Sequence, residues 1–304
     1  LYKLFEEVEV SAKDLKGDWR HLWHYILETE VHVYAFAIGG NVLLSLWPFL
    51  MVMISLCRNV FHWSAAEEAI YVAVKDYFAG NTGEFLVFNL RTIAGYTYRV
   101  EWISLIMLLF VSNGIFLPLE VALNRAWQVK VNRSLVKNQL VSMGLILACG
   151  ALTLLTAAFT AANLQLLSGV ENYHATAFTW IVRLAFKIAS IPITIVLLFL
   201  VYSYLPNTKV SKKHVLPRAI IVGLVLEVLK WINMLVWPWM YKKFSHEYGV
   251  FVNSITIFTW GFVAGLVVLA GAEWTARSVR QAVTTSVLRA PIQDRIGAES
   301  EPRS

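Results

Sequence analysis

Residues 33–57 read VYAFAIGGNVLLSLWPFLMVMISLC, a run without one charged side chain. A helix rises about 1.5 Å per residue, so about 20 apolar residues cross a hydrocarbon core of about 30 Å, and this run is long enough to do so. Five further runs share its character, at 102–122, 139–168, 180–205, 215–240 and 250–274. Lipid offers no partner to backbone N–H and C=O groups, so spanning segments are helices or closed barrels, and none of these runs alternates with the period of two that a barrel needs. The expected fold is all-α: a polytopic membrane bundle of six transmembrane helices, with amphipathic interfacial helices beside it. The bulk composition agrees. The 304 residues are 58% hydrophobic and 15% charged, and the mean hydropathy is +0.58, which excludes an ordinary soluble domain.

The position of the charges orients the runs. A net charge of +6 raises the question of nucleic acid, but the cations sit between the apolar runs. Loop 123–138 carries Arg125, Lys130, Arg133 and Lys137, loop 206–214 carries Lys209, Lys212 and Lys213, and loop 169–179 carries none. The excess of Lys and Arg marks cytoplasmic loops, so both termini are expected in the cytoplasm. Lys3, Lys13, Lys16 and Arg20 before the first run agree, as do Arg277, Arg280 and Arg289 after the last; Lys242 and Lys243 are an exception. Membrane lipids, anionic ones included, are the expected partners, with no nucleic acid.

The layout divides into a cytoplasmic or interfacial amphipathic segment at 1–32, a membrane domain at 33–274 with an outer amphipathic loop at 58–101, and a cytoplasmic tail at 275–304. In the first segment Trp19, Leu22, Trp23 and Ile26 recur at helical spacing, which suits a helix in the headgroup layer or one packed on the bundle. In the outer loop Ser64 and Glu67 stand at capping-box spacing, and Ile70, Tyr71, Val74, Tyr77 and Phe78 share one face before Gly80 and Asn81. This predicts an amphipathic helix that packs on the bundle or covers a cavity mouth. After Pro291 the chain is polar, ending GAESEPRS, and is expected to be disordered. No cleavage site follows the first run, so no signal peptide is expected, and with Leu1 rather than Met at the start the natural N-terminus is expected upstream. Cys57 and Cys149 read as buried thiols.

Ionisable residues deep in a span cost at least about 2.5–3.5 kcal/mol on insertion scales, so each needs a partner or a wet cavity. Arg183 and Lys187 are one turn apart in the fourth run, and Glu227 and Lys230 one turn apart in the fifth. Two readings stay open. Glu227 pairs with Lys187 or Lys230 as structural glue, or the surplus cations line an anion-binding cavity suited to a lipid phosphate. Asn41, Asn113, Asn163, Gln165, Asn233 and Asn253 are expected to bond between helices, and Pro48, Pro118, Pro192 and Pro238 to kink or interrupt them. Asn113 to Pro118 and Asn233 to Pro238 repeat one spacing in runs of opposite direction, the pattern of an inverted transporter repeat or a chance echo. His21 and His24 lack a third ligand nearby, and no HExxH, Gly-rich phosphate loop or GxSxG elbow occurs. No enzyme activity, metal or cofactor is expected.

Three stretches carry a family resemblance. LLSLWPFLMVMISL at 43–56, ALNRAWQV at 122–129 and the series Tyr248, Gly249, Trp260, Gly271, Ala272 and Glu273 resemble the YihY/BrkB family of bacterial inner-membrane proteins, once labelled ribonuclease BN. Gly39, Gly40 and Asn41 depart from it, standing where relatives are expected to carry aromatic residues. The resemblance implies a six-helix inner-membrane protein of envelope integrity, with transport of a lipid or another amphipathic molecule as a proposed role. A scaffold that recruits envelope proteins is the alternative, and the ribonuclease label has no support in these residues. Asn124, Arg125 and Trp127, with Glu120 and Glu273 at the same level, form the inner-face motif, a structural or gating network in which Glu273 and Arg277 stand at helix-pair spacing.

Overall fold

The computed structural model describes residues 22–78, 80–96, 102–129, 133–170, 191–208 and 210–299. Among these residues every regular element is helical. A turn of helix at 22–27, α1, bends at Glu28 into α2 (Thr29–Ser55), which ends in a π-helical turn at Leu56–Val60. Then follow α3 (Ser64–Tyr77), α4 (Asn81–Tyr96), α5 (Trp102–Ala126), α6 (Leu135–Val170), α7 (Ile191–Tyr204), α8 (Lys212–Tyr248) and α9 (Val252–Glu299). Three stretches are long and apolar enough to cross a membrane: Glu30–Val60, Val136–Phe159 and Lys212–Arg280, the last holding α8 and α9 joined through the turn Gly249–Phe251. The shorter α7 is also apolar.

Helix α2 is the hub, packed on α5 and α9. The apolar driving force that buries a soluble core is absent between helices in lipid, so close backbone approach has to hold them. Glycine provides it. A Cβ on Gly39 would stand 2.9 Å from both the carbonyl oxygen of Phe258 and the amide nitrogen of Phe262, and one on Gly261 would stand 3.0 Å from the Cα of Gly39. Beside this contact the Phe36 ring lies 4.7 Å from that of Phe262. Asn41 donates Nδ2 to Ala37 O at 2.8 Å, within its own helix, while its Oδ1 occupies the space a Cβ of Gly114 in α5 would need. An aromatic side chain at 39 has no room here. Further along α9 the Tyr202 hydroxyl donates to Val268 O at 2.8 Å and sits 2.6 Å from where a Cβ of Gly271 would be, so α7 and α9 also meet at a glycine.

Helices α3 and α4 lie over the bundle end where α8 gives way to α9. The turn between them uses Gly80 at φ +64, a left-handed conformation that suits glycine, and the Trp237 indole nitrogen stands 2.7 Å from where a Cβ would be. Thr82 donates to Asn253 Oδ1 at 2.7 Å, tying α4 to α9 as expected of an interhelical Asn.

Several expectations need correction. Ser64 is not the cap of α3: Trp63 holds that position without a side-chain bond, and Glu67 turns instead to Arg58 and Tyr71. The ion pair outcompetes the cap. Helix α4 was not anticipated, although Leu86, Val87, Leu90 and Ala94 form its buried face at helical spacing. Pro48, Pro118 and Pro238 lie inside continuous helices rather than interrupting them. Helix α9 runs past Pro291 to Glu299, through polar residues assigned to a disordered tail; Ala, Gln and Arg there are good helix formers. Trp19 and His21 lie outside the described residues, as do Arg183, Lys187 and the side chains of Asn113, Asn163 and Gln165.

The glycine contact has a measurable consequence. Gly39→Ala is expected to destabilise the protein by about 1–3 kcal/mol, the usual cost of overpacking, read as an earlier thermal transition in detergent. Gly40→Ala, whose Cβ would meet nothing nearer than Phe258 at 4.0 Å, is expected to melt with the unsubstituted protein.

Candidate functional site

The charges inside α8 meet the end of α3. Glu227 and Lys230 lie one turn apart and pair at 3.7 Å, with side chains only 12% and 20% exposed. Above them the Lys230 ammonium stands 4.6 Å from the centre of the Tyr77 ring, a cation–π distance. Tyr77 and Thr194 of α7 line the same space. Of the four cavity residues expected from the sequence, the structure brings Glu227 and Lys230 together; Arg183 and Lys187 lie outside the described residues. Two turns of α8 beyond Lys230, Trp237 packs under Gly80, and between them Asn233 is buried with no partner for its Oδ1 among the described residues.

Tyr77 has a second neighbour, a cavity of about 390 Å³ among α2, α3, α6 and α7. Its wall is apolar, with Leu46, Phe49, Ile70 and Phe78 prominent and Cys149 on the α6 side. The space beside Tyr77 is therefore largely hydrocarbon in character, and helix α3 lines it. It is formed by α2, α3, α6 and α7, whereas the cavity expected among the charges of the fourth and fifth runs includes Arg183 and Lys187, which lie outside the described residues.

The inner-face motif lies at the opposite end of the bundle and falls into two groups. In the first, Glu120, 3% exposed, accepts a long bond from Asn124 Nδ2 at 3.4 Å, and Asn124 Oδ1 accepts the Asn207 amide at 2.8 Å. Arg133 donates to Pro206 O at 2.8 Å and Tyr204 O at 3.2 Å, so the segment after α5 clamps the segment after α7. Gln128, at φ 54, ends α5, and the Val129 amide returns to Asn124 O. Trp127 is half-buried against the core. In the second group Arg125 pairs with Glu30, and Arg280 with Glu273 at 3.0 Å, around a pocket of about 180 Å³ that Tyr25 and Glu28 also line. Burial first, then the carboxylates of Glu273 and Glu28, push the Tyr25 hydroxyl well above its ordinary value, so it stays protonated as a donor. Glu273 pairs two turns away with Arg280, a partner that helix-pair spacing does not link.

Two constellations escaped sequence reading. Arg58, in the π-helical turn, forms a fork with Glu67 and donates to Ala94 O, while Tyr71 donates to Glu67 at 2.9 Å. Arg91 pairs with Glu68 and lies 4.6 Å from the Tyr71 ring. These contacts join α2, α3 and α4, and only the mixed charges of the loop hinted at them. Arg218, 7% exposed, stacks over Trp274 at 5.7 Å and donates to His214 O. It stands in the run 215–240, close enough to its edge to be read as a boundary residue. Among the described residues, no group of three or more His, Cys, Asp or Glu is placed to hold a metal.

Comparison with known proteins adds an independent line. The family model described as virulence factor BrkB matches residues 22–291. A UPF0761 membrane protein of Stenotrophomonas maltophilia strain K279a is 23% identical over 262 residues, which are 84% of this chain and 59% of that one. One from Pseudomonas aeruginosa strain UCBPP-PA14 is 24% identical over 259 residues, 83% of this chain and 60% of its own. A relative from Pseudoalteromonas atlantica is 24% identical over 234 residues, 77% and 76% of the two chains. The chain thus spans about three fifths of the first two relatives. No solved structure matches it.

Asn124 is the joint of the first inner-face group. Asn124→Ala removes a buried acceptor from the Asn207 amide and is expected to lower stability by about 1–3 kcal/mol, while Gln128→Ala, exposed and outside these bonds, gives a smaller loss. Thermal unfolding of the two variants in one detergent checks the ranking.

Proposed function

The chain belongs to the BrkB family of membrane proteins, and on that premise we propose that it is a six-span protein of the bacterial inner membrane, both termini cytoplasmic, which maintains the envelope by binding or moving an anionic amphipathic molecule. The observation that carries the reading is the Glu227–Lys230 pair within an apolar helix, capped by Tyr77 and bordering an apolar cavity. A charged group held in such surroundings is a functional candidate by its insertion cost alone. The arrangement places a cationic head next to a hydrocarbon-like space, the two halves of an amphipath in complementary form. Asn233 adds an acceptor without a partner on the same helix.

The six-span reading is supported by the meeting of elements end to end. Arg125 at the end of α5 joins Glu30 at the start of α2, and α9 brings Glu273 and Arg280 to the same pocket. Helices α8 and α9, joined by a short turn, run back along each other. Arg125 and Arg133 lie at that level, and by the positive-inside rule the Lys and Arg of loops 123–138 and 206–214 support a cytoplasmic side there. The relatives are described only as membrane proteins, with no activity attached.

A binding measurement tests this reading. The purified full chain, titrated with phosphatidylglycerol and phosphatidylcholine, is expected to prefer the anionic lipid, and Lys230→Gln to weaken that preference about tenfold, equivalent to about 1.4 kcal/mol. Glu227→Gln, which frees Lys230 from its carboxylate, is expected to keep or raise it. Equal affinities for both lipids in all three proteins, each checked as folded by its thermal transition, would leave the pair as structural glue.

A further inference from the structure

The apolar cavity among α2, α3, α6 and α7 is large enough to hold a small molecule. At about 390 Å³ it exceeds by more than twofold an engineered apolar cavity of about 150 Å³ that stays dry and binds benzene. Its size falls within the range of small-molecule sites, about 300–1,000 Å³. Water is a poor occupant, because a buried water needs two to four polar partners. Two hydroxyls in the wall already donate within their own helix: Thr153 to Cys149 O at 2.8 Å and Thr156 to Leu152 O at 2.9 Å. In a membrane the abundant apolar solute is the hydrocarbon chain.

The polar end of the occupant is fixed by Tyr77. This residue lines the cavity with one side, yet its ring also lies under the Lys230 ammonium, and more than half of its surface is open. A chain inside the cavity would therefore emerge beside a cation. We infer that the cavity beneath α3 holds one hydrocarbon chain of an anionic amphipath, with its head at Tyr77 and Lys230. This rests on the proposed handling of an amphipath at the α8 charges and names the part of the ligand that the apolar wall recognises. A phospholipid and a free fatty acid share that chemistry.

Photo-crosslinking of the full chain tests it, using phosphatidylglycerol or a fatty acid with a diazirine at the chain terminus. Adducts are expected on residues 70–78 and 149–157, from the phospholipid, the fatty acid or both, and the reagent that labels them identifies the source. Ala73→Phe and Thr153→Leu, which fill the space from opposite sides, are each expected to reduce those adducts at least tenfold. A second readout needs no substitution: Cys149 lines the cavity, and its alkylation by a small apolar maleimide, read by peptide mass, is expected to slow at least threefold when the amphipath is added. Adducts confined to the outward faces of α8, with Cys149 alkylation unchanged by lipid, overturn the cavity assignment even if the headgroup preference at Lys230 holds. Adducts in the cavity without any headgroup preference retain the chain site and remove the reading on which the head was placed.

Discussion

Two glycines in contact, Gly39 on α2 and Gly261 on α9, set how near the central helices come, and the remaining packing follows from that distance. Between helices in lipid, attraction comes from van der Waals contact and hydrogen bonds that work only at short range. With the α2 and α9 backbones nearly touching, Phe36 reaches Phe258 and Phe262, and α5 closes on the other side where Gly114 admits Asn41. The same approach carries the beginning of α2 and the end of α9 to one level, where Glu30 and Glu273 meet their arginines. Electrostatics at that end thus depends on a missing Cβ more than two turns away.

The opposite end obeys a different rule. There the side chains are charged but the surroundings are not, and polar groups are held by partners on other elements. Lys230 has both a carboxylate and an aromatic face, and Arg58 has a carboxylate and a main-chain carbonyl. Partnered charges in a poor dielectric fix orientation as much as they add stability. Helix α3 is held this way at both ends, by Glu67 near its start and Tyr77 at its end, across a wall of apolar side chains.

Much of this was legible in the residues themselves. Hydropathy alone marks the helices, because an apolar run has one stable form in lipid, and the amphipathic face of α3 follows from a spacing of three and four. The pairing of Glu227 with Lys230 was one of two partners that depth and charge allowed. What escaped reading depends on three-dimensional neighbours. The turn at Gly80 looked like the end of a helix, and nothing local says that a second helix restarts at Asn81 because its Thr82 finds Asn253 far along the chain. Ser64 and Glu67 have the spacing of a cap, but Arg58 takes the carboxylate. The glycine at 39 can be seen in the sequence, whereas what requires it is the backbone of α9.

Helix α8 touches the end of α3 twice. Lys230 lies against Tyr77 and Trp237 against Gly80, seven residues and thus about two turns apart, so both contacts fall on one stripe of α8 about 10 Å long. Two points of support on a stiff rod act as a clamp with a fixed axis. If α8 rotated about that axis, both grips would swing off together, and if it slid, the ammonium and the indole would be displaced by the same amount. The roof of the cavity is in this sense geared to α8: that helix holds both the end of α3, at Tyr77, and the turn after it, at Gly80.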